Sequence, residues 1–286
     1  MFDLAPLISA TELIALMAKP TDHDLLVIDC RFNLGDPQAG ETAYQQGHIH
    51  GAHYAHLDRE LSGPKTGSNG RHPMPSALAL QATLRHWGVG PHTRVVAYDD
   101  AGGMFATRLW WLLRWASHDA VQVLDGGWAA WQSAQGLVDA VTPTERPAST
   151  FALNPRTDWV VSADTVLSRL NLPDHQLVID ARAPDRFRGE NETIDPVGGH
   201  IPGARNRFFQ LNLQADGRFK TPAQLQAEFG ELLAQHDLTS VTHQCGSGVT
   251  ACHNLLAMAH AGLPPTKLYA GSWSEWCADP ARPVER

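Results

Sequence analysis

Short runs of consecutive apolar residues alternate with longer stretches of helical period along the whole chain. Leu25–Asp29, Arg94–Tyr98 and Val121–Leu124, then Leu177–Asp180, Val241–Gln244 and Lys267–Tyr269, are too short for helices and predict strands. Ser76–Trp87, Met104–Ala116, Thr221–Leu233 and Val249–Ala261 place apolar residues at helical spacing, and Thr11–Met17 is amphipathic. Strands that read as near-continuous apolar runs are covered on both sides. Their alternation with helices therefore predicts an α/β protein built on parallel sheets with helices on both faces.

The pattern occurs twice. Leu26-Val27-Ile28-Asp29-Cys30-Arg31 returns as Leu177-Val178-Ile179-Asp180-Ala181-Arg182, and Gly47-His48-Ile49-His50-Gly51-Ala52 as Gly199-His200-Ile201-Pro202-Gly203-Ala204. Further on, Val95–Asp100 lies over Ser240–Cys245, Gly126-Gly127-Trp128 over Gly271-Ser272-Trp273, and Trp131 over Trp276. Two copies in one order mean two homologous domains. The expected boundaries are 1–140 for the first, 141–158 for an exposed, proline-bearing linker, and 159–286 for the second. In this register Asp100 takes the place of Cys245, and a carboxylate can form neither a persulfide nor a thioester intermediate, so the first domain is expected to be catalytically inactive. Its apolar, tryptophan-rich segment Met104–Leu113 suits a buried scaffold.

With 286 residues, 43% apolar and 18% charged, the chain reads as globular and long enough for two cores. A formal charge of −8 without a basic cluster argues against nucleic acid or an anionic membrane as partner. No run has the length of a membrane span, and the N-terminal Met1–Leu7 carries an acid where a secretion signal needs bases. Cys30, Cys245, Cys252 and Cys277 form neither a Cys-x-x-Cys pair nor a disulfide framework, and the fifteen histidines are scattered. A cytoplasmic protein with no metal and no cofactor is expected, in which Cys252 and Cys277 are packed thiols.

The chemistry concentrates at Cys245-Gly246-Ser247-Gly248-Val249-Thr250, a glycine-bearing turn between the strand ending at Gln244 and the helix beginning near Val249. Such a turn aims backbone N–H groups and the positive end of a helix at the sulfur, which favours the nucleophilic thiolate. A cysteine phosphatase needs an arginine six residues past its cysteine to grip phosphate, and Ala251 stands there. That argues against phosphate-ester hydrolysis.

These motifs together make the chain resemble the tandem-domain sulfurtransferases of the rhodanese superfamily over nearly its full length. The loop is most similar to that of the 3-mercaptopyruvate branch, since thiosulfate-using members carry basic side chains where this chain has Gly246 and Ser247. The resemblance implies two rhodanese-like domains, a persulfide on Cys245, a small-molecule sulfur donor, and a thiol, thioredoxin or cyanide acceptor. It implies that Ser247 works with His72 and Asp58 as the catalytic set, and that Arg186 binds the donor carboxylate beside the loop residues Gly246, Gly248, Val249 and Thr250. It also exposes a departure: Asp195 stands where that branch has a second substrate arginine. Arg188, Arg205 and Arg207 are nearby candidates to supply the charge. Thiosulfate as donor, or a persulfide carrier that does not turn over, are the alternative readings.

Overall fold

A computed structural model describes residues 4–19, 24–170, 172, 177–233 and 236–286. Met1 to Asp3, on which the N-terminal reading partly rests, lie outside the described residues. The chain forms two compact units, the first comprising 1–63, 75–155 and 215–218 and the second 64–74, 156–214 and 219–286.

The first unit contains β1 (Leu7–Ile8), α1 (Ala10–Met17), β2 (Leu25–Asp29), α2 (Ala39–Gln46), β3 (His48–Ile49) and β4 (His53–Tyr54). It continues with α3 (Ala77–His86), β5 (Arg94–Tyr98), α4 (Ala106–Trp115), β6 (Val121–Leu124), α5 (Gly127–Ser133) and β7 (Val138–Asp139). Its main sheet is parallel, in the order β1-β6-β5-β2-β4. The second unit contains β8 (Val160–Val161), α6 (Ala163–Arg169), β9 (Leu177–Asp180), α7 (Pro184–Phe187), β10 (Arg205–Asn206), α8 (Pro222–Leu233), β11 (Val241–Gln244), α9 (Thr250–His260), β12 (Lys267–Tyr269) and α10 (Ser272–Trp276). Its sheet is also parallel, in the order β10-β9-β11-β12-β8. Read from opposite edges, the two orders are the same. The six expected strands have the predicted bounds, and the expected helices lose a residue or two where caps begin, as at Ser76, whose hydroxyl accepts from the Ala79 amide. All four residues of β9 and of β11 are buried, so both faces of the sheet are covered.

The repeated motifs build the same latch twice. Arg31 folds back onto Asp29 two residues earlier, donates from Nη2 to the Gly47 carbonyl at 2.6 Å, and lies over the Trp128 ring. Arg182 does the same with Asp180, the Gly199 carbonyl at 2.7 Å and Trp273. The histidine of each Gly-His-Ile element stacks on an aromatic ring, His48 on Tyr44 and His200 on Phe187. A charged pair buried to this degree is tolerated because each guanidinium is paired with a carboxylate and also hydrogen-bonded to a backbone carbonyl.

Two expectations need correction. Tyr98 pairs with Asp29 in the first sheet and Gln244 pairs with Asp180 in the second. The residue that follows is therefore Asp99 in one unit and Cys245 in the other. The Trp128 amide donates to the Asp99 carbonyl as the Trp273 amide donates to that of Cys245. Asp99, rather than the exposed Asp100, holds the cysteine position. The constant offset failed because the stretch from this position to the tryptophan is one residue longer in the first unit. The segment 141–158 is also not a free linker throughout. Through Pro155 it belongs to the first unit, where Phe151 is buried and Ser149 donates from its amide to the Arg85 carbonyl and from its hydroxyl to that of Val89. One apolar side chain with a place to bury suffices to hold such a segment down.

Candidate active site

The central strand of the second sheet, β11, delivers Cys245 to the carboxyl edge, where parallel sheets place their ligand sites. The loop that follows is clamped from below by the start of α10. Ser272 Oγ accepts from the Cys245 amide at 3.1 Å, and the Trp273 and Ser274 amides donate to the Cys245 and Gly246 carbonyls at 3.0 and 2.9 Å. Ser272 holds a left-handed φ of 55° to do this. With its carbonyls committed downward, the loop points its amides the other way. Those of Ser247 and Gly248 approach the Cys245 sulfur at 3.4 and 3.1 Å. Gly248 has φ +76°, and a Cβ there would stand 2.3 Å from the Ala270 carbonyl oxygen, so no other residue fits without moving backbone.

Cys245 is 2% exposed. Beside it the Ser247 hydroxyl and His72 Nδ1 share a hydrogen bond of 2.7 Å, with both residues buried. His72 reaches this place because the segment 64–74 belongs to the second unit. Gly70, at φ +88°, allows the close approach: a Cβ there would meet the Gly271 carbonyl oxygen at 2.7 Å. Arg71 then donates from its amide to Ser274 Oγ at 2.9 Å. Asp58 lies in the first unit, where its amide donates to His56 Nδ1.

The charges around the loop are organised on Asp195. Its Oδ1 accepts from Arg71 Nη1 at 2.5 Å and its Oδ2 from Arg186 Nη2 at 3.1 Å. Glu192 holds Arg186 Nε from the other side at 3.1 and 3.0 Å. Both guanidiniums border Gly246: a Cβ built there would lie 2.9 Å from Arg71 Nη2 and 3.8 Å from Arg186 Nη1 and Nη2. Sequence reasoning singled out Arg186 and passed over Arg71, whose one signal was a cation adjacent to His72. The other candidate arginines are committed elsewhere. Arg188 forks onto Glu190 at the surface, Arg205 donates to the Leu232 carbonyl, and Arg207 donates to Asn212 and Glu228 and lies over the Phe229 ring.

Val249 and Thr250 are buried at the start of α9. His243 is unsuited to proton transfer, because complete burial pushes it down to about 3. No disulfide joins the four cysteines; Cys252 is buried with its thiol donating to the Gly248 carbonyl, and burial pushes Cys277 up to about 11. Both are packed thiols. No group of three or more metal-ligating side chains occurs among the described residues. No helix among them is long and apolar enough to cross a membrane.

In the first unit the same turn is filled rather than open. Asp99 is fully buried, and its carboxylate accepts from the amides of Ala101, Gly103, Phe105 and Ala106 at 2.7–2.9 Å. The donors that would cradle a ligand there are consumed by the chain itself.

Comparison with known proteins agrees with this geometry. The rhodanese-like domain family matches residues 9–134 and again 162–279. A Pseudomonas aeruginosa protein named "Probable 3-mercaptopyruvate sulfurtransferase" is 48% identical over 98% of both chains. A thiosulfate sulfurtransferase of Rattus norvegicus is 32% identical over 88% of this chain and 84% of its own. The structure of a 3-mercaptopyruvate sulfurtransferase from Leishmania major superposes with a TM-score of 0.83 at 30% identity, covering 94% of this chain and 73% of that one. A repeated α/β unit, a thiol in an amide-lined loop in one copy and a carboxylate in the same place in the other all find their explanation here: the chain belongs to the rhodanese family, as a two-domain sulfurtransferase.

Proposed function

We propose that this chain moves sulfur from 3-mercaptopyruvate to a thiol, thioredoxin or cyanide acceptor through a persulfide on Cys245, in the cytoplasm. The observation that carries the choice of donor is the Ser247–His72 hydrogen bond beside the sulfur. The Cys245 thiolate attacks the donor sulfur, forming the S–S bond of the persulfide. The carbon–sulfur bond breaks with its electron pair on carbon, leaving the enolate of pyruvate, which takes one proton to become pyruvate. A buried hydroxyl coupled to an imidazole can deliver that proton, a contribution of about 10²- to 10⁴-fold where the acid is well placed. Asp58 joins this set on the family resemblance. The Ser247 and Gly248 amides hold the negative charge of the bound sulfur. An acceptor thiolate then attacks the outer sulfur, the S–S bond breaks, and the Cys245 thiolate returns. Each half-reaction regenerates what the other needs, so the kinetics are ping-pong.

A second reading keeps the chemistry with thiosulfate as donor. Two arginines beside Gly246 favour it, because a dianion gains more from paired cations than a monoanion does. Steady-state transfer to a thiol from each donor in parallel discriminates. A large preference for 3-mercaptopyruvate upholds the proposal, and a preference for thiosulfate transfers it to the second reading. Loading of one sulfur per chain without turnover of either donor would make the chain a carrier. Cys245→Ser must lose transfer from every donor while the fold is kept.

A further inference from the structure

The first unit, whose own loop is filled by Asp99, holds a cavity of about 490 Å³ beside β4, the edge strand of its sheet. The walls come from α2, β4, the last turn of α3 and the segment 142–145. Tyr44, Tyr54 and Trp87 make the lining aromatic, and the two tyrosine hydroxyls are committed to the Ala52 and Arg31 carbonyls at 2.8 and 3.0 Å. Other polar groups of the lining have no such commitment. Among the described residues, neither the rings of His53 and His86, nor Trp87 Nε1, nor the Glu145 carboxylate has a hydrogen bond or an ion pair. Trp87 is itself buried, and a buried N–H normally finds an acceptor. Glu145 is held at the rim by its neighbour Arg146, which pairs with Asp24 and donates to the Leu25 carbonyl at 3.0 Å.

Charge decides what such a cavity suits. Its lining holds two carboxylates, Glu60 and Glu145, and neither lysine nor arginine among the described residues. Glu60 is partly engaged, since it accepts from the His56 amide at 2.7 Å and stands 3.8 Å from Arg59 Nε. Burial, with the His86 ring beside it, holds His53 below the ordinary imidazole range, so that ring adds no fixed positive charge. The last turn of α3 brings the negative end of a helix to the same wall, and aromatic faces attract cations as well. We propose that this cavity is a binding site for an arylalkylammonium ion. The ammonium group donates to the Glu145 carboxylate and to an imidazole nitrogen, and the apolar stem lies among Tyr44, Tyr54 and Trp87. The unit that lacks the cysteine thereby serves as a ligand-binding module, separate from the sulfur chemistry and independent of it.

Calorimetric titration of the full chain with phenethylammonium and with 2-phenylethanol, a neutral molecule of the same size, reads the preference directly. The cation should bind about tenfold or more tightly than the alcohol, the lower range of one charge-assisted contact. Glu145→Gln should weaken the cation by about three- to tenfold, an amount limited by the exposure of this residue, and leave the alcohol unchanged. Ala82 is an exposed residue of the same lining, and Ala82→Trp should abolish binding of both molecules by filling the space. Thermal unfolding and sulfur transfer should match the wild type in both variants, which shows that the fold is kept. No binding of phenethylammonium to the wild type, or equal binding of the two molecules, would overturn the proposal. Cation binding that survives Ala82→Trp would place the ligand elsewhere and overturn it too. A preference for the cation that is undiminished in Glu145→Gln would overturn the recognition argued from charge.

Discussion

His72 Nδ1 and Ser247 Oγ lie 2.7 Å apart in a buried contact beside the Cys245 loop, joining a residue of α9's approach to a segment far away in sequence. In the mechanism we propose, the pair matters only when the departing group needs a proton, which a pyruvate enolate does and sulfite does not. Ser247→Ala and His72→Ala should each lower kcat with 3-mercaptopyruvate by about 10²-fold or more. Loading of Cys245 by thiosulfate, followed by mass spectrometry, should fall far less. Equal losses with both donors would assign the pair to loop architecture.

Gly248 is held at φ +76° with the Ala270 carbonyl where its Cβ would be. Gly248→Ala should disturb the loop that aims two amides at the sulfur. We expect sulfur loading to drop at least about tenfold and stability to fall by about 1–3 kcal/mol. Thermal unfolding and single-turnover loading read the two effects separately.

The Asp99 carboxylate collects four backbone amides, whereas Asp100 is exposed. Asp99→Ala strands buried donors and should cost about 2–4 kcal/mol, against about 0.5 kcal/mol or less for Asp100→Ala. Urea unfolding of both variants checks the assignment of Asp99 to the cysteine position. The reverse order would restore Asp100.

Burial pushes Glu192 up, but the hydrogen bond from Arg186, those from the Asp195 and Ile194 amides and the Arg186 charge outweigh it and hold the carboxyl below its ordinary 4.5. A carboxyl depressed in the folded state stabilises fully above its unfolded value and loses that contribution as the pH falls through the folded one. The stability gap between wild type and Glu192→Gln should therefore be constant from neutral pH down to about 5 and shrink below 4.5. Denaturant titrations at several pH values measure it, and a gap that is still constant at pH 3 would contradict the assignment.

By itself, the sequence was enough to establish the two α/β domains, their six main strands and the glycine-bearing turn that carries Cys245, because apolar period and local turn chemistry are properties of contiguous residues. It also marked Ser247, His72 and Arg186 through the family resemblance, and the Asp-x-Arg and Gly-His-Ile motifs before their joint role as a latch was visible. Other matters waited for the tertiary structure. The exchange of Asp99 for Cys245 is decided by strand register, in which Tyr98 faces Asp29 as Gln244 faces Asp180, while an ungapped overlay keyed on the tryptophans slips by one residue. The burial of Phe151 in a segment with the composition of a linker depends on a niche that composition cannot reveal. The meaning of Asp195 turns on what stands next to it. The sequence shows an acid near Arg186, and only the structure shows that it stands between Arg71 and Arg186 and accepts from both. Electrostatic interactions act through distance in space, and the separation of Arg71 from Asp195 along the chain carries no information about it.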